Sequence, residues 1–562
     1  MRLLGAVAVA ALVLSGQTAV AAPAPISPDP VLAFLADPGR VDLARASRGR
    51  EARTRARVLS ASVPDQTYAE REPEPVRGRN DSPWTAEVTG FRRSALFTGS
   101  LLADPTMPVV PEFAEPNDTQ ATASATGVGT SHRALRTVGQ IVGQDQDFYR
   151  LRGAGLTSVT TRTDGSDLDT VLTVFDASGK EIASNDTVGV STDARLEVSL
   201  AVGADYFVRV SGAQNTSGSY ELTLAAGEGQ GDKDFFGVGL KAGDVLGASV
   251  VGAARKVVVH DSRGREVMGS QQDFSGVYPK ESPLPGGGNA VADFVAPRDG
   301  RYYVGVEDGA GWYSLTVKAF RPGSEKAPQT VFVDFNGALV DTSGWGSPGE
   351  KQLSPLSRFL TAWGLSSKDE SAVVSVAVDT IRENLALHGK FGVRLLNSRD
   401  HQDPWGRQNV SRLVIGGTIA ESGVETVAIA QSIDPGNFGH EETAMVQLDL
   451  LSGPAGSPVS LNTYLASGSD KIRFVGRALG NVAAHELGHL SGSWHQHQFN
   501  AHDTLMDQGG NPRAMFAVGA DGIGGTADDT DIDFGEDELV PNEGFTGLED
   551  AASRTLWGYS RG

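Results

Sequence analysis

The chain has 562 residues and no cysteine, and its 48 basic against 69 acidic residues give a net charge of −21. This length is enough for several domains, and the lack of cysteine excludes a disulfide framework and a lipid-anchored cysteine. The acidic balance opposes binding to nucleic acid and to anionic membranes, so we expect neither as a partner.

Residues 1–21 have the pattern of a secretory signal peptide. Arg2 is followed by an apolar stretch over 3–14 and by the small-residue pattern Ala19-Val20-Ala21. The apolar stretch is too short to span a bilayer, and no later segment is long enough. We therefore expect a secreted, extracellular protein with no integral membrane segment.

Residues 22–110 are rich in Pro, Ala and Arg, with seven Arg between Arg40 and Arg57 and little apolar periodicity. This composition predicts either a prosegment or a disordered leader, and both stay open at this point. In either case we expect that removal of residues before about 110 leaves a folded protein.

Residues 111–226 and 227–320 repeat one pattern. The segment 145–148 (Asp-Gln-Asp-Phe) recurs as 232–235 (Asp-Lys-Asp-Phe), and other segments recur in the same order. Each copy alternates apolar and polar residues between Gly and Asp turns. This alternation predicts short antiparallel strands in a β-sandwich.

The first copy has an acidic entry, Glu115-Pro116-Asn117-Asp118, and Asp167-Leu168-Asp169 within it. At these residues it resembles the pre-peptidase C-terminal domain of secreted bacterial proteases. The second copy is a more diverged version of this domain and lacks such an entry. In relatives the entry can hold Ca²⁺, which implies these candidate ligands here: Glu112, Glu115, Asn117 and Asp118. A solvated capping turn is the alternative.

Residues 328–562 predict one further domain. Segments 331–335, 392–396 and 411–416 predict strands, and a helix that carries further motifs begins at Ser469 or Asp470. An amphipathic helix between the first two strands is predicted by apolar residues at helical spacing: Val374, Ala377, Val378, Ile381 and Leu385. This order predicts helices packed on a twisted mixed sheet.

The helix that begins at Ser469 or Asp470 carries the most specific motif of the chain. His485 and His489 stand at i and i+4 on one helix face, close enough to hold one tetrahedral Zn²⁺. Glu486 can reach the open coordination site and take a proton from a bound water. Gly492 can adopt a positive φ that ends the helix and lets His495 approach as third ligand.

At these residues the chain resembles the metzincin clan of metalloproteases, and especially the matrixins. The resemblance implies a zinc site of His485, His489 and His495 with Glu486 as general base. It also implies a Met-turn beneath the metal, for which Met506 is the candidate.

Two positions depart from the patterns of the known metzincin subfamilies, so the subfamily stays open. Gln496 follows the third histidine, where those subfamilies carry other residues, and Gln508 stands where two of them have a tyrosine ligand. His497 and His502 lie close by. A fourth protein ligand would close the site that catalysis needs, so we interpret both as other than ligands.

Apolar and polar residues alternate over 444–450. In the metzincins the strand at this place is the antiparallel edge over the cleft, where an extended peptide can pair with unpaired backbone groups. The resemblance therefore implies a polypeptide substrate. An ordinary internal strand is the alternative.

Residues 514–553 contain eleven acids and neither Lys nor Arg. Carboxylates grouped around Gly turns are typical of a Ca²⁺ site, although their spacing does not fit an EF-hand. The candidate ligands are Asp521, Asp528, Asp529, Asp531 and Asp533. A solvated acidic loop is the alternative.

These patterns predict a multidomain fold: two antiparallel β-sandwich domains followed by an α/β metzincin-type zinc protease domain. We expect a secreted, monomeric zinc endopeptidase with Zn²⁺ and Ca²⁺ as cofactors. Two alternatives stay open: a secreted adhesive or polymer-binding protein with a structural metal site, and a zinc amidase acting on a non-protein amide.

Overall fold

The computed structural model of the chain describes residues 64–71, 80–101, 109–110, 115–131, 134–163, 166–186, 194–226, 232–252, 254–309, 311–322, 329–386, 392–498, 500–509 and 511–560. The predicted signal peptide, residues 22–63 of the predicted leader and Glu112 lie outside this part of the chain. Within it the protein is multidomain and mostly β, with a small helical part. None of the described helices is long and apolar enough to cross a membrane.

The described strands before residue 321 form two β-sandwiches. They are β1 (Gln66–Ala69), β2 (Glu87–Val88), β3 (Ser94–Leu101), β4 (Val109–Val110), β5 (Ser124–Ala125), β6 (Ala134–Ile141), β7 (Gln146–Arg152), β8 (Gly155–Arg162), β9 (Thr170–Asp176), β10 (Glu181–Asn185), β11 (Arg195–Leu200), β12 (Asp205–Gly212), β13 (Gly218–Ala226), β14 (Asp234–Leu240), β15 (Val245–Gly252), β16 (Lys256–His260), β17 (Glu266–Ser270), β18 (Ala290–Val295), β19 (Gly300–Glu307) and β20 (Gly311–Phe320).

The first sandwich contains β4 to β13. One sheet has the order β10-β9-β12-β7-β5 and the other the order β11-β8-β13-β6-β4. Alternate residues of the strands, such as Tyr206, Val208 and Val210 on β12, are buried in one core between the sheets. The alternation in the sequence therefore has the physical cause expected for a sandwich, one face towards the core and one towards water.

The second sandwich has the same topology, but its strands come from both sides of the first. Its sheets have the orders β18-β15-β20-β3-β1 and β17-β16-β19-β14-β2, so β1 to β3 take the places that β4 to β6 take in the first copy. The entry turn is also repeated. The backbone N–H of Phe148 donates to Asn117 O at 3.0 Å, and that of Phe235 donates to Asn80 O at the same distance. The first sandwich is thus inserted between β3 and β14 of the second.

This nesting corrects two expectations from the sequence. Strands β1 to β3 lie inside the stretch 22–110 that we expected to be a removable leader, and they pair with β14 and β20 of the second sandwich. The second copy does have an entry, at Asn80-Asp81, which precedes the first copy in the chain. Its distance from the rest of the repeat conceals it, because sequence comparison searches for contiguous copies.

The remaining elements belong to the region that carries the histidine motif. The strands are β21 (Thr330–Asp334), β22 (Leu339–Asp341), β23 (Glu350–Gln352), β24 (Arg394–Asn397), β25 (Val410–Ile415), β26 (Ala428–Ala430), β27 (Thr443–Val446), β28 (Glu536–Glu538), β29 (Phe545–Thr546) and β30 (Leu548–Asp550). The helices are α1 (Glu370–Leu385), α2 (Ile419–Ser422), α3 (Lys471–Leu490), α4 (Pro512–Met515) and α5 (Ala551–Tyr559).

The main sheet of this region has the order β24-β21-β25-β27-β26. All neighbours are parallel except β26, which is antiparallel to β27. Helices α1 and α3 pack against each other, and α3 contacts β25, β26 and β27. The apolar faces of both helices and the facing strand residues form one core.

The predicted edge strand at 444–450 is wrong in extent and in position. β27 ends at Val446 and is internal, with β25 on one side and β26 on the other. The antiparallel edge is β26. The alternation of apolar and polar residues over 444–450 indicates that one face of the strand is buried. It does not indicate which strands pair with it on either side.

Candidate functional site

Helix α3 carries two of the three histidines of the motif. Its first turn is capped by Asp470, whose Oδ1 accepts the backbone N–H of Arg473 at 3.1 Å. Gly476 and Gly480 face α1 so closely that a Cβ at either position would lie 2.6 Å from a side chain of α1. This close packing buries the last two turns of α3, where the histidines stand.

The chain turns sharply after α3. Gly492 has a φ of 105°, and a Cβ there would collide with the backbone of Pro435, so the turn requires glycine. The turn returns His495 to His489, with 3.2 Å between their Nε2 atoms. One ring nitrogen from each of His485, His489 and His495 lies within 4.8 Å of the others.

Each imidazole is oriented by a hydrogen bond at Nδ1. The partners are the Leu505 carbonyl for His485 (2.6 Å), the Ser493 carbonyl for His489 (2.8 Å) and the Glu543 carboxylate for His495 (2.8 Å). Acceptors at Nδ1 leave the Nε2 lone pair of a neutral ring free for a metal. Two nitrogens each about 2.0–2.1 Å from a tetrahedral Zn²⁺ are about 3.3 Å apart, so the spacing of 3.2 Å fits such an ion.

All three rings are buried, and burial disfavours the charged form of the two that stand on α3. Burial, together with the neighbouring His495, lowers the pKa of His485 to about 3. Burial and the two other rings lower the pKa of His489 well below its usual value. A neutral imidazole is the form that binds a metal, so the electrostatics of the cluster suit a metal centre.

Glu486 lies next to the first histidine of α3 and is 4% exposed. Its Oε2 has no hydrogen-bond partner among the described residues, and burial raises the pKa of the carboxyl well above its usual value. An unpaired buried carboxylate is costly. A cation beside it would offset that cost and leave the group available for proton transfer.

Met506 lies directly beneath α3 and is fully buried. A Cβ on Gly488 would lie 2.6 Å from Met506 Sδ, so this glycine allows the helix to rest on the methionine. The Met506 carbonyl accepts the backbone N–H of Gln496 at 2.7 Å. The turn that contains Met506 is therefore tied to the residue that follows the third histidine.

Glu543 is a residue of the site that the sequence does not single out. Its Oε1 accepts from His495 Nδ1 and, at 2.9 Å, from Gln508 Nε2. Its side chain is 2% exposed. Glu543 is one of eleven acids in its stretch and 48 residues from His495, so no local pattern marks it.

The two further histidines lie outside the cluster. The backbone N–H of His497 donates to the Glu538 carbonyl at 2.8 Å, and that of His502 donates to Asn500 Oδ1 at 2.7 Å. Among the described residues, the candidate metal group here consists of His485, His489 and His495 without either of them.

The edge strand β26 is partly covered on its outer side. Since the Val427 carbonyl points to β27, alternation directs the carbonyls of Ala428 and Ala430 outwards. Ala428 O accepts from Thr426 Oγ1 and Ala430 O from Trp345 Nε1, both at 2.9 Å. A peptide that pairs with these two carbonyls would have to displace both side chains.

The first sandwich contains a second candidate metal group. One carboxylate oxygen from each of Glu115, Asp145 and Asp147 lies within 4.8 Å of the others. Asn117 is 2% exposed, and its Oδ1 has no partner among the described residues. A hydrogen bond with Asp145 raises the pKa of Asp118. Asp145 and Asp147 thus join the predicted entry residues, and carboxylate and amide oxygens are ligands that suit Ca²⁺.

The predicted calcium ligands of the C-terminal stretch are distributed differently. Four of the five interact with arginines of α3 or accept hydrogen bonds from backbone N–H groups of their own loop. The pairs are Asp529 with Arg473, Asp531 with Arg477, Asp528 with the N–H of Asp521, and Asp521 with the N–H of Ile523. In the described part of the chain, no three of the five predicted ligands, of which Asp533 is the fifth, lie close enough together to form a candidate metal group. Calcium at this place stays a prediction.

The chain matches no protein family and no curated protein. Part of it is similar to the pre-peptidase C-terminal domain of a collagenase from Bacillus anthracis (18% identity, 20% of this chain, 99% of that chain, TM-score 0.16). Part is similar to PliG, a periplasmic lysozyme inhibitor from Aeromonas hydrophila (17% identity, 21% of this chain, 96% of that chain, TM-score 0.14). Part is also similar to the PBSX exported protein XepA (11% identity, 33% of this chain, 86% of that chain, TM-score 0.14). These likenesses are partial, and they identify no protease domain.

Proposed function

We propose that the chain is a secreted, monomeric zinc endopeptidase of the metzincin type. The observation that carries the proposal is the cluster of His485, His489 and His495, each with an acceptor at Nδ1. The unpartnered carboxylate of Glu486 beside it adds support. Secretion rests on the signal-peptide pattern of residues 1–21.

The fold around the cluster is further support. The histidine helix lies on a mixed sheet of four parallel strands and one antiparallel edge strand, and a buried methionine lies beneath the helix. Met506 is the candidate for the Met-turn that the resemblance implies. These are features of topology, so they support the metzincin type and leave the subfamily open.

In the proposed hydrolysis, the metal ion and the side chains of the protein have different roles. A Zn²⁺ ion held by the three imidazoles supplies a Lewis acid for water and for a carbonyl group. Glu486 would accept a proton from the attacking water and return it to the leaving amine. The acceptors at Nδ1, among them Glu543, keep the three rings in one orientation.

The test uses the full chain loaded with Zn²⁺ and a mixed protein and peptide library with a mass-spectrometric readout. Glu486→Gln preserves size and removes the base, so we expect unchanged zinc stoichiometry and a loss of hydrolysis of about 10² to 10⁴-fold. The control is Glu383→Gln, an exposed carboxylate on α1, which should keep full activity. A zinc chelator should abolish the activity.

If the wild type cleaves no protein or peptide faster than Glu486→Gln does, the endopeptidase proposal is overturned. Hydrolysis of a non-protein amide under the same conditions, sensitive to Glu486→Gln, would then assign the zinc amidase. Zinc binding without any hydrolysis would leave the adhesive protein with a structural metal site.

We also propose a Ca²⁺ ion in the first sandwich. What supports it is the convergence of Glu115, Asp145 and Asp147 with the buried, unpartnered oxygen of Asn117. Three carboxylates and one amide oxygen match the hard oxygen ligands that Ca²⁺ takes. The proposed Ca²⁺ ion would stabilise the entry turn and would take no part in the hydrolysis.

A further inference from the structure

The second sandwich is continuous with the region that carries the histidines. The core of the sandwich includes Trp494, Leu539 and Phe545 from the C-terminal region. Strand β29 of that region also extends a sandwich sheet, since Phe545 pairs with Ser270 and Thr546 with Gly269. Trp494 directly precedes the third histidine, so this junction lies next to the site.

Trp494 contacts the sandwich through its ring and through its Nε1–H. Its ring is fully buried, with centroids 4.6 Å from that of Phe274 of the sandwich and 4.6 Å from that of Phe545. Its Nε1–H donates to Asp293 Oδ2 at 3.0 Å. Asp293 stands on β18 of the sandwich and is fully buried.

Asp293 also anchors the turn that leads to His495. It pairs with Arg554, whose Nη1 donates to the Gly492 carbonyl at 2.9 Å. Arg554 Nε lies 3.0 Å from Glu549, and the Glu549 carboxylate accepts the backbone N–H of Trp494 at 3.1 Å. The turn over 492–494 is therefore enclosed by a charged network that begins on the sandwich.

The orienting carboxylate of the third histidine is held from the same side. Gln272 of the sandwich donates its Nε2–H to the Glu543 carbonyl at 2.6 Å. Glu543 lies two residues before β29, whose pairing with β17 fixes the local backbone. The sandwich therefore restrains both His495 and the group that orients it.

We propose that the second sandwich is a structural part of the metal centre, with Asp293 and Trp494 as positioning residues for His495. The inference rests on the proposed zinc site. Two histidines on one helix are fixed by local geometry, whereas the third ligand lies on a turn that needs support from outside its own segment. Contacts one step removed from a ligand typically change metal affinity by about 10- to 100-fold.

The test is zinc affinity of the full chain, measured by competition with a chromogenic chelator. Trp494→Phe keeps an aromatic ring and removes the bond to Asp293, and we expect zinc affinity to fall by about 10- to 100-fold. The matched control is Trp363→Phe, a buried tryptophan of the same region whose Nε1 donates to the Leu451 carbonyl at 3.0 Å. The control should lower thermal stability and leave zinc affinity unchanged.

A second variant, Gln272→Leu, removes the bond to Glu543 from the sandwich side and should lower zinc affinity in the same direction. Wild-type affinity in both Trp494→Phe and Gln272→Leu would overturn the inference. So would an equal loss of affinity in the Trp363→Phe control, which would indicate general destabilisation. Failure of the wild type to bind zinc would instead overturn the proposed function.

Discussion

At the scale of single residues, the orientation of each imidazole in the site depends on the hydrogen bond at its Nδ1. Two of the three acceptors are backbone carbonyls, of Leu505 and Ser493, and no side-chain substitution removes them. The third is the carboxylate of Glu543. Among the three proposed ligands, His495 is therefore the one whose orientation a single side-chain substitution at its Nδ1 partner can change.

We predict that Glu543→Gln lowers zinc affinity by about 10- to 100-fold. The amide loses the negative charge, and its one oxygen must serve both His495 and Gln508. The control is Glu538→Gln, an exposed carboxylate of the same acidic stretch, for which we expect wild-type affinity. Chelator competition checks both, and equal affinities would contradict the positioning role of Glu543.

At the scale of elements, glycines in α3 set how closely the helix approaches its neighbours. A Cβ on Gly476 or Gly480 would meet α1, and one on Gly488 would meet Met506. Side chains also approach closely at the entry turn of the first sandwich, where Glu115 lies near Asp145 in the turn before β7 and Asp147 on β7. These carboxylates repel one another, and a bound cation would offset that repulsion.

We predict that Ca²⁺ stabilises the first sandwich in the full chain, by about 2.7 kcal/mol when free Ca²⁺ is about 100 times the Kd. Asp145→Asn should abolish most of this calcium effect, whereas Asp205→Asn, at an exposed position on β12, should preserve it. Calorimetric unfolding of the zinc-loaded protein, in calcium or in a calcium-selective chelator, measures the difference. Identical unfolding curves in the two conditions would rule out the site.

At the scale of the whole molecule, the first sandwich is an insertion in the second. Described strands of the first sandwich pair with one another, and β3 and β14 flank it in the chain. In the first copy the same connection, from β6 to β7, needs only residues 142–145. A short turn can therefore close the second sandwich without the insertion.

We predict that replacing residues 102–232 with a copy of the turn 142–145 gives a soluble protein with wild-type zinc affinity. Deletion of residues 64–101 should instead prevent folding of the second sandwich, because it removes β1 to β3 from two sheets. Soluble expression and zinc binding check both variants. A soluble, zinc-binding protein without residues 64–101 would show that these strands are dispensable.

The local features of this protein could be predicted from its sequence alone. The i, i+4 spacing of His485 and His489, the glycine turn at Gly492 and the alternation of the strands follow from helix and strand geometry over a few residues. Three features became visible only with the tertiary structure: Glu543 orients His495, Asp293 supports Trp494, and Asn80 belongs to the same sandwich as Phe235. These contacts join residues distant in the chain, and they depend on how sheets pair and pack, which no local spacing encodes.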